Sequence, residues 1–140
     1  MRLFDVEKGN EVRKFTGPEH PVYCIAMNKD GSKISAAGMG IGDSRNVFVW
    51  NIDNPEPAHT LKGHPDDIYR VQFSQSSERV LSLGYAGNLR VWDTAGGKAV
   101  FEQAVGAVSY SARFSPDGKS VVVSSNDRTA RILELPAAAQ

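Results

Sequence analysis

The sequence lacks an excess of charge of either sign. Its 140 residues contain 16 Lys and Arg and 16 Asp and Glu, so the formal net charge at pH 7 is zero. The longest positive cluster is the pair Arg13 and Lys14. Binding to the phosphates of a nucleic acid or to an anionic membrane surface requires a field of positive charge. We therefore expect no nucleic acid and no membrane among the partners of this chain.

Cysteine, long apolar runs and metal-binding patterns are also scarce. Cys24 is the single cysteine, so an internal disulfide is excluded. No run approaches the roughly 18 apolar residues of a membrane-spanning helix, and no apolar signal segment follows Met1. His20, His59 and His64 do not stand at the spacings that hold metal ions. These absences predict a cytoplasmic protein without a metal site or a cofactor.

What the sequence does contain is a repeat of about forty residues. It is easiest to see in the similar segments VFVWNID, LRVWDTA and ARILELP. These place Trp50, Trp92 and Leu133 in one column of equivalent positions, separated by 42 and 41 residues. Phe4 takes the same place 46 residues before Trp50, and the insertion GMGIGDSRN accounts for the extra length. A fixed period of this size indicates a repeat architecture.

Each repeat unit has the pattern of four short β-strands. A strand-like run ends at Met27, Phe73 and Phe114, and the turn-forming segments NKDG, SQSS and SPDG follow it. Short runs rich in β-branched and small residues come next, and then the strand that carries the Trp or Leu column. No segment has a helical period. The sequence therefore predicts an all-β fold.

On these residues the sequence resembles the WD-repeat family. The resemblance is carried by Gly63-His64, Trp92-Asp93, Trp50-Asn51 and the segment SPDGKSVVVSSNDRTARILEL. It implies a β-propeller whose blades are four-stranded antiparallel sheets, with strand a innermost and strand d outermost. The blades it implies are a partial blade of strands c and d over 1–21, full blades over 22–63 and 64–105, and a partial blade of strands a, b and c over 106–140.

This number of blades cannot close a ring within one chain, because closed propellers have about 4–8 blades. Two explanations remain open. Several copies assemble head to tail, with residues 1–21 completing the last blade of a neighbour, or the sequence is a segment of a longer propeller. Three copies would give nine blades and two would give six, since heterologous contacts that close form rings. We favour the trimer and then the dimer, and in either ring segments 1–5 and 129–136 compete for one strand position.

WD repeats often contain a buried hydrogen-bond network of Asp, His, Ser or Thr, and Trp. The resemblance implies part of this network in the middle unit, where His64, Ser82 and Trp92 stand at the matching places. The Asp place holds Ala86. The second ring nitrogen of His64 is therefore expected to lack its usual acceptor.

The outer units have lost most of the network. The first unit keeps Trp50, with Asp43 as a second candidate member, whereas Pro18 and Ala36 stand in the His and Ser columns. The last unit keeps only Asp127. The stabilising role of the network is accordingly in question for these units.

Two arrangements resemble functional sites, a hydrolase triad and a phosphate-binding loop, but their surroundings do not fit. Ser82 and His64 could belong to a hydrolase triad, but no G-x-S-x-G elbow surrounds Ser82 and no helix follows to supply an oxyanion hole. The glycine-rich segment 38–46 could cradle a phosphate only if a helix followed it, and strand c follows instead. We predict no catalytic residues and interpret 38–46 as an extended b–c loop, where specificity can reside.

A column of tyrosines marks the start of strand a in each unit. Because side chains alternate along a strand, Tyr69 is expected on the same face as Val71. Packing between blades is one interpretation of the column, and a binding surface is another, since tyrosine is favoured at interfaces. Both can hold together. The predicted binding surface on the loop face comprises Tyr23, Tyr69, Tyr110, Met39, Ile41, Asp43, Arg45, Asp66 and Tyr85.

The function implied by the resemblance is that of a non-catalytic scaffold for protein–protein interactions, assembled head to tail into a closed ring. The identity of a protein or peptide partner stays open, because fold alone does not dictate function. The alternative is a purely structural propeller, self-assembling or engineered, or a fragment of a larger WD-repeat protein, with no ligand of its own.

Overall fold

The structure, a computed structural model, describes residues 1–137 and consists of β-strands joined by short turns. Strands account for 50% of it, which confirms the all-β prediction. A single turn of 3-10 helix, η1, covers Gly42–Ser44. The strands are β1 (Arg2–Phe4), β2 (Glu11–Lys14), β3 (Val22–Met27), β4 (Lys33–Gly38), β5 (Val47–Asn51), β6 (His59–Leu61), β7 (Ile68–Phe73), β8 (Arg79–Gly84), β9 (Asn88–Asp93), β10 (Ala99–Ala104), β11 (Ser109–Phe114), β12 (Ser120–Ser125) and β13 (Ala130–Glu134).

The strands form antiparallel sheets in which each strand pairs with the next along the chain. Strands β1 and β2 form a two-stranded sheet, here the N-terminal hairpin. The first blade is β3 to β6, the second blade is β7 to β10, and the third blade is β11 to β13. These are consecutive propeller blades, and the arrangement is open rather than closed.

In chain order the strands of each blade are a, b, c and d, so β3, β7 and β11 are strands a, and a d–a loop joins one blade to the next. Short polar turns set the register between strands a and b. The Asp30 carboxylate accepts a hydrogen bond from the Ser32 amide at 2.9 Å, and Asp117 accepts one from the Lys119 amide at 3.0 Å. Such side chains replace the backbone partners that a tight turn cannot supply. The hydrogen bond from the Ser32 hydroxyl holds the pKa of Asp30 below its ordinary value.

Apolar layers between successive sheets form the core. The first layer lies between the N-terminal hairpin and the first blade, and Phe15, Ile34 and Trp50 are buried in it. The second layer joins the first and second blades around Val49 and Val71. The third layer joins the second and third blades, with the buried residues Leu81, Leu83, Leu89, Val91, Val105, Ala112, Val121 and Val123.

The second blade is covered on both faces, and its sequence reflects this. Along β8, Val80 belongs to the second layer, whereas Leu81 and Leu83 belong to the third. The last five residues of this strand are all buried. A sheet with two covered faces has no reason to alternate apolar with polar residues, and each fully buried Val or Leu contributes about 1.5–3 kcal/mol.

The two ends of the stack leave apolar side chains in solvent. Ile25 and Met27 of β3 are 60% and 53% exposed, although one repeat later Val71 and Phe73 are buried. At the other end Ile132 of β13 is 70% exposed. These side chains lie where the repeat would place another blade.

Candidate interaction surface

A β-bulge at the same place in all three blades positions the tyrosine column. In β3 the pairing with β4 passes from Val22 to Cys24, so Tyr23 is an extra residue without a partner. The same shift skips Tyr69 in β7 and Tyr110 in β11. A bulge bends the strand and redirects the side chain of the extra residue. Each tyrosine therefore points out of the loop face rather than into the stack.

Because of the bulge, the tyrosines do not share a face with the core residues of strand a, although the sequence had predicted that they would. Strict alternation places Tyr69 on the face of Val71, and Tyr110 on the face of Ala112. In the structure Val71 and Ala112 are buried, whereas both tyrosines are exposed. The prediction was wrong because one extra residue changes the phase of the alternation between the tyrosine and the core position.

Four tyrosines form a continuous row across the blades. The ring centroids of Tyr23 and Tyr69 are 5.3 Å apart, those of Tyr69 and Tyr85 are 5.5 Å apart, and those of Tyr85 and Tyr110 are 6.4 Å apart. The four residues are between 41% and 58% exposed. Tyr85, from the β8–β9 turn, completes the row, which we refer to as the tyrosine row. Rings at these distances stabilise one another and leave their outer faces free for a partner.

The pKa of Tyr69, in the middle of the row, reflects partial burial and a nearby carboxylate. Loss of hydration raises the pKa of the Tyr69 hydroxyl, and the neighbouring Tyr23 and Asp67 raise it further. The hydroxyl is accordingly protonated at neutral pH and can both donate and accept a hydrogen bond. Asp67 was not among the residues predicted for the binding surface, because a single Asp in a loop has no distinctive sequence signal.

The loop between β4 and β5, residues 39–46, is tied to the neighbouring d–a loop. Asp67 accepts a hydrogen bond from the Gly40 amide at 3.2 Å and lies 3.8 Å from the Arg45 guanidinium. Arg45 also donates to the Pro65 carbonyl at 2.7 Å. The loop presents Met39 and the largely exposed Ile41 beside the row. Met39 stands one repeat before Tyr85 and is its counterpart in the first blade.

Asp66 and Asp43 have different surroundings on this face. The Asp66 carboxylate accepts a hydrogen bond from the Ala86 amide and so fixes the β8–β9 turn that carries Tyr85. This approach requires Gly84, because a Cβ at that position would lie 2.1 Å from Asp66 Oδ1. Asp43 is exposed within η1. Asp66 therefore supports the surface from below, whereas Asp43 is free to meet solvent.

A buried hydrogen-bond network lies beneath the middle of the row. The Ser82 hydroxyl is 2.6 Å from His64 Nε2 and accepts from the Trp92 indole nitrogen at 2.8 Å. These bonds connect strands b and c to the d–a loop. Burial lowers the pKa of His64 to about 3, and the nearby Arg90 lowers it too, so the ring is neutral at physiological pH.

The second nitrogen of His64 has no hydrogen-bond partner among residues 1–137. Ala86, in the family's Asp column, cannot accept a hydrogen bond through its side chain. The Asp66 carboxylate lies close by, and its Oδ1 is likewise buried without a partner in this range. Both groups lie against Gly84, at 3.2 Å and 2.1 Å from the position of its absent Cβ. The imidazole of His64 is therefore hydrogen-bonded through Nε2 but not through Nδ1.

In the first and third blades, Trp50 and Asp127 form hydrogen bonds with other partners. Trp50 donates its indole hydrogen to the Thr16 carbonyl at 3.1 Å, because Ala36 offers no hydroxyl. Asp127 accepts hydrogen bonds from Thr129 and pairs with Arg131, and these contacts lower its pKa. Asp127 is therefore a turn residue in the third blade and does not contact His64 or Ser82. A backbone carbonyl partner such as that of Thr16 leaves no signal in the sequence.

Comparison with known proteins assigns the family. The profile of the WD domain, G-beta repeat, matches residues 9–51, 55–93 and 99–133. The chain belongs to the WD-repeat family. These WD repeats cover most of the chain, and their order agrees with the sheets described above.

Similar WD-repeat proteins come from several eukaryotes. The chain is 30% identical over 117 residues to the Periodic tryptophan protein 2 homolog of Schizosaccharomyces pombe, which is 82% of this chain and 13% of that protein. It is 28% identical over 137 residues to Transcription initiation factor TFIID subunit 5 of Caenorhabditis elegans, covering 95% of this chain and 20% of the relative. It is 29% identical over 94 residues to Autophagy-related protein 16 of Arabidopsis thaliana, covering 66% and 18%. The chain spans a fifth or less of the length of these relatives.

The WD-repeat network does not have the geometry of a catalytic site. The Ser82 hydroxyl is fully buried and is shared by His64 and Trp92, so a substrate has no access to it. Burial also raises the pKa of the Cys24 thiol to about 12, which keeps it in the unreactive thiol form. Within residues 1–137, no group of three His, Cys, Asp or Glu side chains could hold a metal ion, and no helix has the length and apolarity needed to cross a membrane.

The depressed pKa of His64 predicts that stability falls at mildly acidic pH. The unfolded chain binds a proton at His64 below about pH 6.5, and the folded chain does not until about pH 3. Each pH unit lost below about 6.5 should therefore cost about 1.4 kcal/mol of unfolding free energy. We expect the urea midpoint to fall between pH 7.5 and pH 5. His64→Gln should flatten this dependence.

The control for that measurement is His59→Gln, which leaves the network intact. The carboxylates with depressed pKa, such as Asp30 and Asp127, lose their stabilising effect only below the ordinary value of 3.8 and do not enter this window. An equal pH slope in wild type and His64→Gln would show that the buried imidazole is not the responsible group.

Proposed function

We propose that this chain is a scaffold that binds a protein or peptide through the tyrosine row and the adjacent loop 39–46. The observation that carries the proposal is the row itself, four rings in mutual contact whose outer faces remain in solvent. Aromatic side chains held rigidly by their neighbours contribute strongly to binding, because little conformational entropy is lost when a partner covers them.

Two further observations support a binding role. The bulges that expose the tyrosines recur in three blades, and a recurrent bulge is a designed feature of a strand rather than a defect. One relative is named as a subunit of a transcription initiation factor, which is a role within an assembly. A cytoplasmic location, expected from the sequence, stays a prediction.

Closure of the open stack by a second copy forms the other part of the proposal. Val122 and Ile132 on the free face of the third blade stand one repeat after Leu81 and Val91, which are fully buried. The exposed Ile25 lies at the opposite end. Two apolar faces at opposite ends of one chain suit a head-to-tail contact that closes into a ring of three copies or of two. Additional repeats, as in a longer WD-repeat protein, would cover the same faces.

Truncating the tyrosine row should abolish partner binding without unfolding the chain. We expect the triple variant Tyr23→Ala, Tyr69→Ala, Tyr110→Ala to lose partners that wild type captures from extract, as quantified by mass spectrometry. Each central tyrosine should contribute about 2 kcal/mol, which is roughly 30-fold in affinity with a purified partner.

The matched control for the row is Val100→Ala, which removes an exposed apolar side chain from β10, an outermost strand. It should capture the same partners as wild type. A triple variant that folds and keeps every partner contradicts the binding role of the row. A wild-type chain that captures no partner supports the alternative of a purely structural propeller.

Assembly through the open ends predicts a particle heavier than one chain. Light scattering at micromolar concentration should give two or three times the monomer mass of 15.2 kDa. Ile132→Glu should reduce the mass to that of a monomer, because it places a charge in the proposed contact. Val100→Glu is the control and should leave the mass unchanged. A folded wild-type monomer would overturn the ring and favour additional repeats as the cover.

A further inference from the structure

A cavity of about 390 Å³ opens on the loop face beside the first tyrosine of the row. It lies between the d–a loop that follows the N-terminal hairpin and strands β4 and β5. Gly17 and Gly63 occupy equivalent positions in two d–a loops and share an unusual positive φ, +118° and +121°. The second repeat then places the buried His64 imidazole under its loop. The first repeat has Pro18 at that position, and Pro18 lines the cavity.

The cavity is lined by apolar, neutral polar and charged side chains. Pro21, Val22 and Phe48 contribute apolar surface. The titratable side chains that line it are Glu19, His20, Asp43 and Lys62. None of these four forms an ion pair with another residue in the described range 1–137. The lining therefore contains two carboxylates and one ammonium group together with the His20 imidazole, so carboxylates outnumber the ammonium group.

An unused hydrogen-bond acceptor lies in the same wall. Asn46 lines the cavity, and its Oδ1 is buried with no hydrogen-bond partner among residues 1–137. A buried acceptor without a donor costs about 1–3 kcal/mol. Asn88, one repeat later in the second blade, has no such unpaired oxygen. An N–H donor brought by a ligand would remove this cost, once a rotation of the Asn46 side chain exposes the oxygen to it.

We propose that this cavity binds the side chain of an arginine in a peptide that lies along the tyrosine row. The methylene stem of arginine would pack against Val22 and Phe48. The guanidinium carries donors in several directions and stays charged, so it can serve an amide oxygen and a carboxylate at once. Lysine offers a more compact charge and stacks less well on Phe48. An acidic side chain would be repelled by Glu19 and Asp43, and a neutral one would form no ion pair with them.

The cavity and the row are continuous, so this inference rests on the proposed function. Val22 lines the cavity, and the next residue, Tyr23, begins the row. The three steps of 5.3, 5.5 and 6.4 Å along the row correspond to about five residues of extended chain at about 3.3 Å per residue. An arginine at one end of a short extended segment would therefore reach the cavity while the following residues cross the rings.

The test uses four libraries of acetylated, amidated hexapeptides. Their first residue is fixed as arginine, lysine, citrulline or glutamate, and the other five positions are degenerate. Citrulline keeps the shape of arginine and removes its charge. We expect the arginine library to bind the labelled chain at least tenfold better than the citrulline and glutamate libraries. In the double variant Glu19→Gln, Asp43→Asn, arginine binding should fall to the citrulline level.

The control double variant Glu7→Gln, Asp53→Asn neutralises two exposed carboxylates outside the cavity and should keep the arginine preference. Arginine peptides should also shift the side-chain amide resonances of Asn46 in ¹⁵N spectra. Equal binding of the arginine, citrulline and glutamate libraries, or no binding at all, would overturn the inference.

The triple tyrosine variant separates this inference from the proposed function. If all libraries bind equally to wild type and lose binding in the tyrosine variant, the row is the binding surface and the arginine inference is wrong. If the arginine preference persists in the tyrosine variant, the cavity binds arginine and the row does not contribute.

Discussion

The structure depends on face-to-face packing of sheets, in which every blade has two apolar faces and needs a neighbour on each. The second blade shows the satisfied state, since β8 sends Val80 to one layer and Leu81 and Leu83 to the other. The open ends show the unsatisfied state, with Ile25 and Ile132 in solvent. Burial in the core therefore increases toward the middle of the chain.

The same packing explains why the candidate binding surface exists. Strand a lies innermost in each blade, and its core positions, such as Val71 and Ala112, are held between sheets. The bulge lets the strand keep these positions buried and still turn Tyr69 and Tyr110 outward at its end. Below the row, the bonds of Ser82 to His64 and Trp92 fix the d–a loop against strands b and c. Rigid support of this kind is what a preorganised interface needs.

The repeat made the fold predictable from the sequence, but local backbone features within each repeat were not predictable. The column of Trp50, Trp92 and Leu133, with its turns, predicted the strands, and the resemblance to WD repeats implied their order within each blade. The bulge at Tyr69 was not predicted. Every blade has the extra residue at the same place, so the spacing between equivalent positions of successive repeats gives no sign of it. The 3-10 turn at Gly42–Ser44 was not predicted either, because three residues are too few to show a helical period.

Some residues of the candidate site were predictable from the sequence, and others were not. His64, Ser82 and Trp92 meet as their spacing in the family suggests. Asp127, the one position of the network kept in the third blade, has no His, Ser or Trp partner there, and its carboxylate instead binds Thr129 and Arg131 within its own turn. Asn46 was not predicted as a site residue from the sequence. Its significance comes from an unpaired oxygen in a cavity wall, which only coordinates can reveal.

Amide hydrogen exchange, resolved strand by strand, tests most directly whether cover on both faces stabilises a blade. The second blade is covered on both sides whether or not a ring forms, whereas the N-terminal hairpin is a two-stranded sheet with little cover. The account predicts that the paired amides of β7, β8 and β9 exchange slowest and that those of β1 and β2 exchange much faster. Exchange in β8 that is as fast as in β1 would contradict it.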